Sequence, residues 1–202
     1  MSTNTESVEL VGDDVVGNIA RAALFAALTG AFAYVSFQNP LSPHPVSLQV
    51  LGVFLAGIFL GPVWGGASMV LYLTAGAAGA PIFVGGSAGL GSLLGLRAGY
   101  LWSYPPAAAL IGLLVHGVSG LVDPEHVPVA RLVGAMVAGT VVIYVFGTVG
   151  FAIVQTGGIL SAFAPSVLWD AFVVSALAFV PFEAVKIAAA VGIIRSDAAS
   201  AE

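Results

Sequence analysis

The feature that most limits what this chain can fold into is a series of long apolar stretches between residues 19 and 195. Only 7% of all residues are charged, whereas 59% are hydrophobic. A soluble domain carries about 25% charged residues, which it needs to cover its surface. A helix that crosses a lipid bilayer needs roughly 20 apolar residues, and charged groups there are costly. The sequence therefore predicts an all-α integral membrane protein.

We expect one transmembrane domain over residues 19–195, between an acidic N-terminal tail (1–18) and a C-terminal tail (196–202). Proline and glycine divide the apolar stretches into about six transmembrane helices. The predicted spans are residues 19–37, 46–60, 63–80, 100–121, 129–154 and 181–194. Gly61-Pro62 reads as a tight turn between the second and third spans. Residues 166–179 are apolar but short, so we interpret them as an interfacial or half-inserted helix.

The positive charges predict how the protein is oriented in the membrane. Six spans bring both termini to one side, and Arg21, Arg131 and Arg195 fall on that side. Cytoplasmic loops are enriched in Lys and Arg, so we expect both termini to be cytoplasmic. Only five Lys and Arg residues are present in total. A nucleic-acid partner is therefore disfavoured, since it would need a basic patch.

Catalytic motifs are weak. Residues 85–89 match the pattern G-x-S-x-G, which makes Ser87 a candidate nucleophile, but that pattern needs a strand-turn-helix setting and a nearby base. The chain has three histidines, His44, His116 and His126, without metal-ligand spacing, and it has no cysteine. A Walker A pattern is absent, so this chain is not expected to hydrolyse ATP. A membrane serine hydrolase that uses Ser87 remains as an alternative.

Three charged residues lie in or near the predicted spans. Charged groups at such positions mark function by default. Glu183 and Lys186 share a helix face because they are three residues apart, so they are either a structural ion pair or ligand contacts. Arg97 follows a glycine-rich segment (residues 81–99), and irregular backbone at membrane depth is tolerated only against protein or a cavity.

Small residues recur along the first span at four-residue spacing. Ala23, Ala27 and Ala31 form one stripe on the helix. Small side chains let helix backbones approach closely in membranes. The stripe is therefore either ordinary packing inside the bundle or a docking surface for a partner helix.

Several segments together resemble the BioY family, over residues 22–194. The matching segments are residues 46–61, 71–76, 79–91, Leu94-Gly95, Gly99-Tyr100, Pro105 and 179–186. The resemblance implies a six-helix substrate-binding S component of an energy-coupling-factor (ECF) transporter, with biotin as the transported ligand and no cofactor. It also implies that helix one docks a membrane coupling protein through the alanine stripe, and that the ATPase subunits are separate chains. An S component for another vitamin is the alternative within this architecture.

The resemblance also implies where the ligand binds. We expect the site near the outer face, with ligand contacts from Gln49, Phe83, Gly85, Gly86, Gly89, Arg97, Tyr100, Glu183 and Lys186. The chain departs from the family pattern at two of these positions. Glu183 stands where the family usually has Asp, and Leu96-Arg97 stands where it usually has Pro-Thr.

Overall fold

The structure is a computed structural model that describes residues 12–40, 42, 45–118 and 120–200. Glu6, Glu9 and Glu202 of the acidic tails lie outside the described residues, as does His44. Seven α-helices are present in the described part of the chain, and five helical stretches are long and apolar enough to cross a membrane. The helices are α1 Asp13–Tyr34, α2 Gln49–Ala77, α3 Ala98–His116, α4 Val129–Thr156, α5 Ile159–Ala162, α6 Pro165–Ser175 and α7 Val180–Ser200.

Helix α2 folds back on itself at Gly61 and so supplies two of the predicted spans. Gly61 has φ 74° and ψ −174°, a conformation that only glycine adopts readily. A Cβ atom on Gly65 would lie 2.9 Å from the carbonyl oxygen of Ala56, which is possible only if residues 49–60 and 62–77 run antiparallel. The predicted turn at Gly61-Pro62 is therefore confirmed, and the bundle has six membrane helices.

Glycine also lets α3 pack directly on this hairpin. A Cβ atom on Gly57 would lie 2.6 Å from the carbonyl oxygen of Ala108, and one on Gly112 would lie 2.4 Å from the carbonyl carbon of Gly61. Helices α1 and α4 pack on the outside of this centre. Small residues thus serve here, as in other membrane bundles, to bring backbones into contact.

Several predicted boundaries were wrong by a few residues. Helix α1 begins at Asp13, inside the predicted tail, and ends at Tyr34 rather than at residue 37. Acidic residues are stable in a first turn because the helix dipole is positive there, which favours the earlier start. After α1 the strand β1 (Ser36–Phe37) pairs antiparallel with β2 (Val46–Ser47). Helix α3 stops at His116 because Gly117 has φ 76°.

The first half of α1 and the last turns of α7 lie at the same end of the bundle as the Gly61 turn. Ser68 donates a hydrogen bond to the Ala22 carbonyl in the first half of α1. Arg195, near the end of α7, donates to the Val127 carbonyl in the loop between α3 and α4. Arg131 donates to the Leu114 carbonyl at 2.7 Å. Arg21, Arg131 and Arg195 therefore share this end, as predicted.

The opposite end carries the glycine-rich segment and α6. Residues 78–97 contain two short 3-10 turns, Val84–Gly86 and Leu90–Leu93. Phe83 anchors the segment: its ring packs so closely on α2 that a Cβ atom on Gly76 would lie 2.1 Å from Cζ. Helix α6 has 11 residues, too few to span a membrane, and its Ala171 packs in an apolar cluster with Phe151 of α4. The prediction of a short, half-inserted helix is consistent with this length.

Candidate ligand cavity

A cavity of about 540 Å³ opens between the glycine-rich segment and the helices, at the end of the bundle opposite the Gly61 turn. Its walls come from the start of α2, from α3 and α4, and from the first turns of α7. Small-molecule sites usually enclose 300–1,000 Å³ of mainly apolar space with a few polar groups. The cavity therefore has the size and lining of a site for a small organic ligand.

The structure brings six of the nine predicted contact residues to this one cavity. The six are Gln49, Phe83, Arg97, Tyr100, Glu183 and Lys186. The three predicted glycines lie in the covering segment but do not line the cavity. Their positive φ angles are 73° at Gly85, 71° at Gly86 and 80° at Gly89. The positive φ angles explain why glycine occurs at these three positions. The glycines affect the cavity through the backbone of the segment that covers it.

The Glu183–Lys186 pair lies in the first turns of α7 and is almost completely buried. Lys186 Nζ donates to Glu183 Oε1 at 2.7 Å, and the exposed fractions of the two side chains are 4% and 6%. Glu183 Oε2 is also buried and has no hydrogen-bond partner among the described residues. A buried polar atom without a partner costs free energy, and this oxygen still has the capacity to accept a hydrogen bond.

Gln49 is fixed by bonds within the protein. Ser47 Oγ donates to Gln49 Oε1 at 2.9 Å, and Gln49 Nε2 donates to the Tyr72 hydroxyl. Tyr72 in turn donates to the Ile82 carbonyl at 3.0 Å, and its ring meets the edge of Phe83. This chain of bonds ties the start of α2 to the segment that covers the cavity. The principal role of Gln49 in the geometry is to hold that wall in place.

Tyr100 is held between two helices. Its hydroxyl bonds to Ser175 Oγ at 2.8 Å. Its ring lies against α4 at a point where a Cβ atom on Gly147 would be only 2.1 Å from Cε1. The ring can therefore occupy this position in the cavity wall only because residue 147 has no side chain.

Arg97 is an exposed cation at the mouth of the cavity. It immediately precedes the first turn of α3 and lines the cavity from there. Within the described ranges no carboxylate lies within 4.0 Å of it. The guanidinium is thus available to an anionic group that reaches the mouth.

Other residues of the cavity and its wall were not predicted as ligand contacts from the sequence. Among them are Tyr104, Tyr144, Gly147 and Ser175. Tyr104 lies one turn after Tyr100, so helical spacing was a signal that could have found it. The other three come to the cavity through tertiary packing and carry no local motif.

Ser87 lines the cavity, and neither of the two histidines that the structure describes lies beside it. Its hydroxyl donates to the Val84 carbonyl at 3.1 Å. His116 lies at the other end of the bundle, where it bonds to the Ile58 carbonyl. His126 is exposed in the loop after α3 and contacts Asp123. The backbone N–H of Glu125 and then His126 lower the pKa of the Asp123 carboxyl, as expected of a solvated loop cluster.

The alanine stripe on α1 faces outwards. Ala23, Ala27 and Ala31 are exposed, whereas Ala22 and Ala26 on the adjoining face are buried. The stripe is therefore not used for packing within the described part of this chain. It leaves a shallow surface of small side chains on the outside of the bundle.

Comparisons with known proteins agree on one family. The family model that matches is described as the BioY family, and it covers residues 2–201. A biotin transporter BioY of Rhodobacter capsulatus is 38% identical over 173 residues, which are 84% of this chain and 87% of that protein. A biotin transporter BioY of Rhizobium etli is 34% identical, over 81% of this chain and 83% of that protein.

A solved structure has the same fold. The crystal structure of the S-component for biotin from an ECF-type ABC transporter matches with a TM-score of 0.73. The match covers 93% of each chain at 21% identity. At this identity the likeness concerns the arrangement of the helices.

Proposed function

This chain belongs to the BioY family, and from that premise we propose that it is the biotin-binding S component of an energy-coupling-factor transporter. The observation that carries the proposal is the buried Glu183–Lys186 pair in the wall of a cavity of about 540 Å³. A charged pair inside a membrane bundle costs free energy, so its presence there indicates a function.

The chemistry of the cavity fits the two polar ends of biotin. The bicyclic head carries a ureido group with two N–H donors and one carbonyl acceptor, and the tail ends in a carboxylate. Glu183 Oε2, buried without a partner among the described residues, can accept from a ureido N–H. Arg97 at the mouth can bind the tail carboxylate by a charge-assisted hydrogen bond. The apolar remainder of the ligand would lie against Phe83 and the other nonpolar walls.

We further propose that separate subunits supply the energy. The outward-facing stripe of Ala23, Ala27 and Ala31 is a surface on which a helix of a coupling protein could pack closely. ATP hydrolysis would take place in further chains, in agreement with the missing Walker A pattern. We propose that the end of the bundle that carries the three arginines is cytoplasmic, because cytoplasmic ends are enriched in Lys and Arg, and the cavity would then open outwards.

Equilibrium binding of radiolabelled biotin to the purified protein tests the proposal. We expect saturable binding of biotin that excess unlabelled biotin displaces and that excess thiamine or riboflavin leaves in place. Binding of a different vitamin without binding of biotin would favour the alternative S component. Binding of none would overturn the proposed function.

A further inference from the structure

Tyr144 in the middle of α4 is a cavity residue that neither the sequence motifs nor the family resemblance singled out. Its side chain lines the cavity on the side formed by α4, across from α7. The hydroxyl oxygen is buried, and it has no hydrogen-bond partner within the part of the chain that the structure describes. A phenol in an apolar interior normally finds a partner, because a buried hydroxyl without one costs free energy.

A second buried polar atom of the same cavity is in the same condition. Glu183 Oε2 also has no partner among the described side chains and backbone groups. The carboxylate oxygen can only accept, whereas the phenol has a proton to donate. Tyr144 on α4 and Glu183 on α7 line the same cavity. The cavity lining thus contains one acceptor and one donor that nothing in the described protein satisfies.

A ureido edge has the complementary pair of groups. It places an N–H donor directly beside a carbonyl acceptor in one rigid plane. We propose that the Tyr144 hydroxyl donates to the ureido carbonyl oxygen of the bound ligand while Glu183 Oε2 accepts from the adjacent ureido N–H. This inference rests on the proposed function and makes Tyr144 a specificity-determining residue for it. Lys186 then serves mainly to hold the Glu183 carboxylate through Oε1.

The other cavity tyrosine with a described hydroxyl bond is not equivalent to Tyr144. The Tyr100 hydroxyl already bonds to Ser175 across α3 and α6. Its oxygen is therefore engaged in holding the wall, whereas the Tyr144 oxygen is not. Of the cavity tyrosines, Tyr144 is the one whose hydroxyl is buried without a partner among the described residues, so selective recognition of a carbonyl acceptor in the ligand is assigned to it.

The test removes each side of the proposed hydrogen bond separately and then both together. The protein side is removed by Tyr144→Phe, which keeps the ring. The ligand side is weakened by the biotin analogue whose ureido carbonyl oxygen is replaced by sulfur, a poorer acceptor. Calorimetry or radioligand competition on the full chain gives the ratio of the two ligand affinities in each variant. Thr140→Val, one helical turn earlier on α4 and outside the cavity lining, is the matched control, since the Thr140 hydroxyl donates to the Met136 carbonyl.

We expect wild-type protein and Thr140→Val to prefer biotin over the sulfur analogue by the same factor. In Tyr144→Phe biotin affinity should fall roughly tenfold, while the affinity of the analogue falls much less, because a site that hydrogen-bonds a ligand group loses most when that bond is removed. An unchanged preference in Tyr144→Phe, with or without an equal loss for both ligands, would overturn the assignment of Tyr144 alone. Failure of the wild-type protein to bind biotin would overturn the proposed function together with this inference.

Discussion

Lys186 Nζ lies 2.7 Å from Glu183 Oε1 on one face of α7, and both side chains are buried in the wall of the cavity. The pair satisfies only one of the two carboxylate oxygens. Lys186 therefore holds the Glu183 carboxylate through Oε1, while Oε2 can still accept a hydrogen bond.

Removing the cation should affect both stability and binding. In Lys186→Ala the carboxylate is left buried without a counter-charge, so we expect the free energy of unfolding to fall by about 3–5 kcal/mol. Biotin binding should weaken by about 2–5 kcal/mol, measured by titration calorimetry. The double variant Glu183→Ala/Lys186→Ala should regain part of the lost stability and none of the binding. Near-normal biotin affinity in both Glu183→Ala and Lys186→Ala would mean that the pair is structural and that the ligand binds elsewhere.

Arg97→Ala should discriminate between charged and uncharged ligand tails. If the guanidinium binds the tail carboxylate, its loss should weaken biotin binding about tenfold, since this partly exposed charge is screened by water. Binding of the uncharged biotin amide should change little. Arg131→Ala, at the other end of the bundle, is the control and should leave both affinities unchanged. Equal losses for biotin and its amide in Arg97→Ala would show that Arg97 does not contact the tail.

Ala27→Trp should prevent assembly while leaving ligand binding intact. The indole would fill the shallow surface of the alanine stripe and keep a partner helix at a distance. We expect co-purification with the coupling protein to be lost and biotin affinity to be retained. Val141→Trp on the exposed side of α4 introduces the same bulk elsewhere and should assemble normally. Normal assembly of Ala27→Trp would place the coupling interface away from the stripe.

The covering segment should be sensitive to backbone strain at Gly86. Valine is β-branched and disfavours a φ of 71°, whereas asparagine tolerates positive φ comparatively well. Gly86→Val should therefore weaken biotin binding strongly without preventing membrane insertion, and Gly86→Asn should have a much smaller effect. A Cβ atom there meets nothing within 4 Å, so the expected difference is attributed to backbone strain. Equal affinities for the two variants would show that this conformation is not needed for binding.

Gly147 should be far less tolerant of a methyl group than another glycine of the same helix. A Cβ atom on Gly147 overlaps the Tyr100 ring, so Gly147→Ala should cost about 1–3 kcal/mol of stability and push the ring into the cavity. A Cβ atom on Gly134 meets nothing within 4 Å, and Gly134→Ala should be neutral or stabilising by up to about 1 kcal/mol. Thermal melting of the purified variants measures the contrast. Similar melting temperatures for the two would contradict the close contact.

The sequence predicted the order of the membrane helices because apolar length and proline-glycine breaks are local signals. The Gly61-Pro62 turn is the clearest case, since both residues restrict the backbone wherever they occur. The pairing of β1 with β2 was missed because two-residue strands carry no pattern of their own. Local signals thus fix which segments are helical but not how their ends meet.

The candidate cavity was predictable where charge or motif marked a residue, as at Arg97, Glu183 and Lys186. Tyr144 lies within an apolar helix that has no motif, and its importance depends on which neighbours leave its hydroxyl without a partner. The glycines of the covering segment stay predicted ligand contacts, and the structure adds that Gly85, Gly86 and Gly89 have positive φ, which the sequence does not reveal. Such distinctions require the packed structure, because they concern distances between segments that are far apart in the sequence.

The antiparallel halves of α2 are short for a membrane. At 1.5 Å per residue, residues 49–60 rise about 18 Å and residues 62–77 about 24 Å, less than the roughly 30 Å of bilayer hydrocarbon. The hairpin is nevertheless central, with 67% of its most apolar window buried, whereas α4 has 28 residues and only 33% of its window is buried. The short hairpin is therefore surrounded mainly by protein, so the lipid does not have to adapt to its length. The bilayer thickness that suits this protein is set by its outer helices, and lipids of different chain length should act on those helices first.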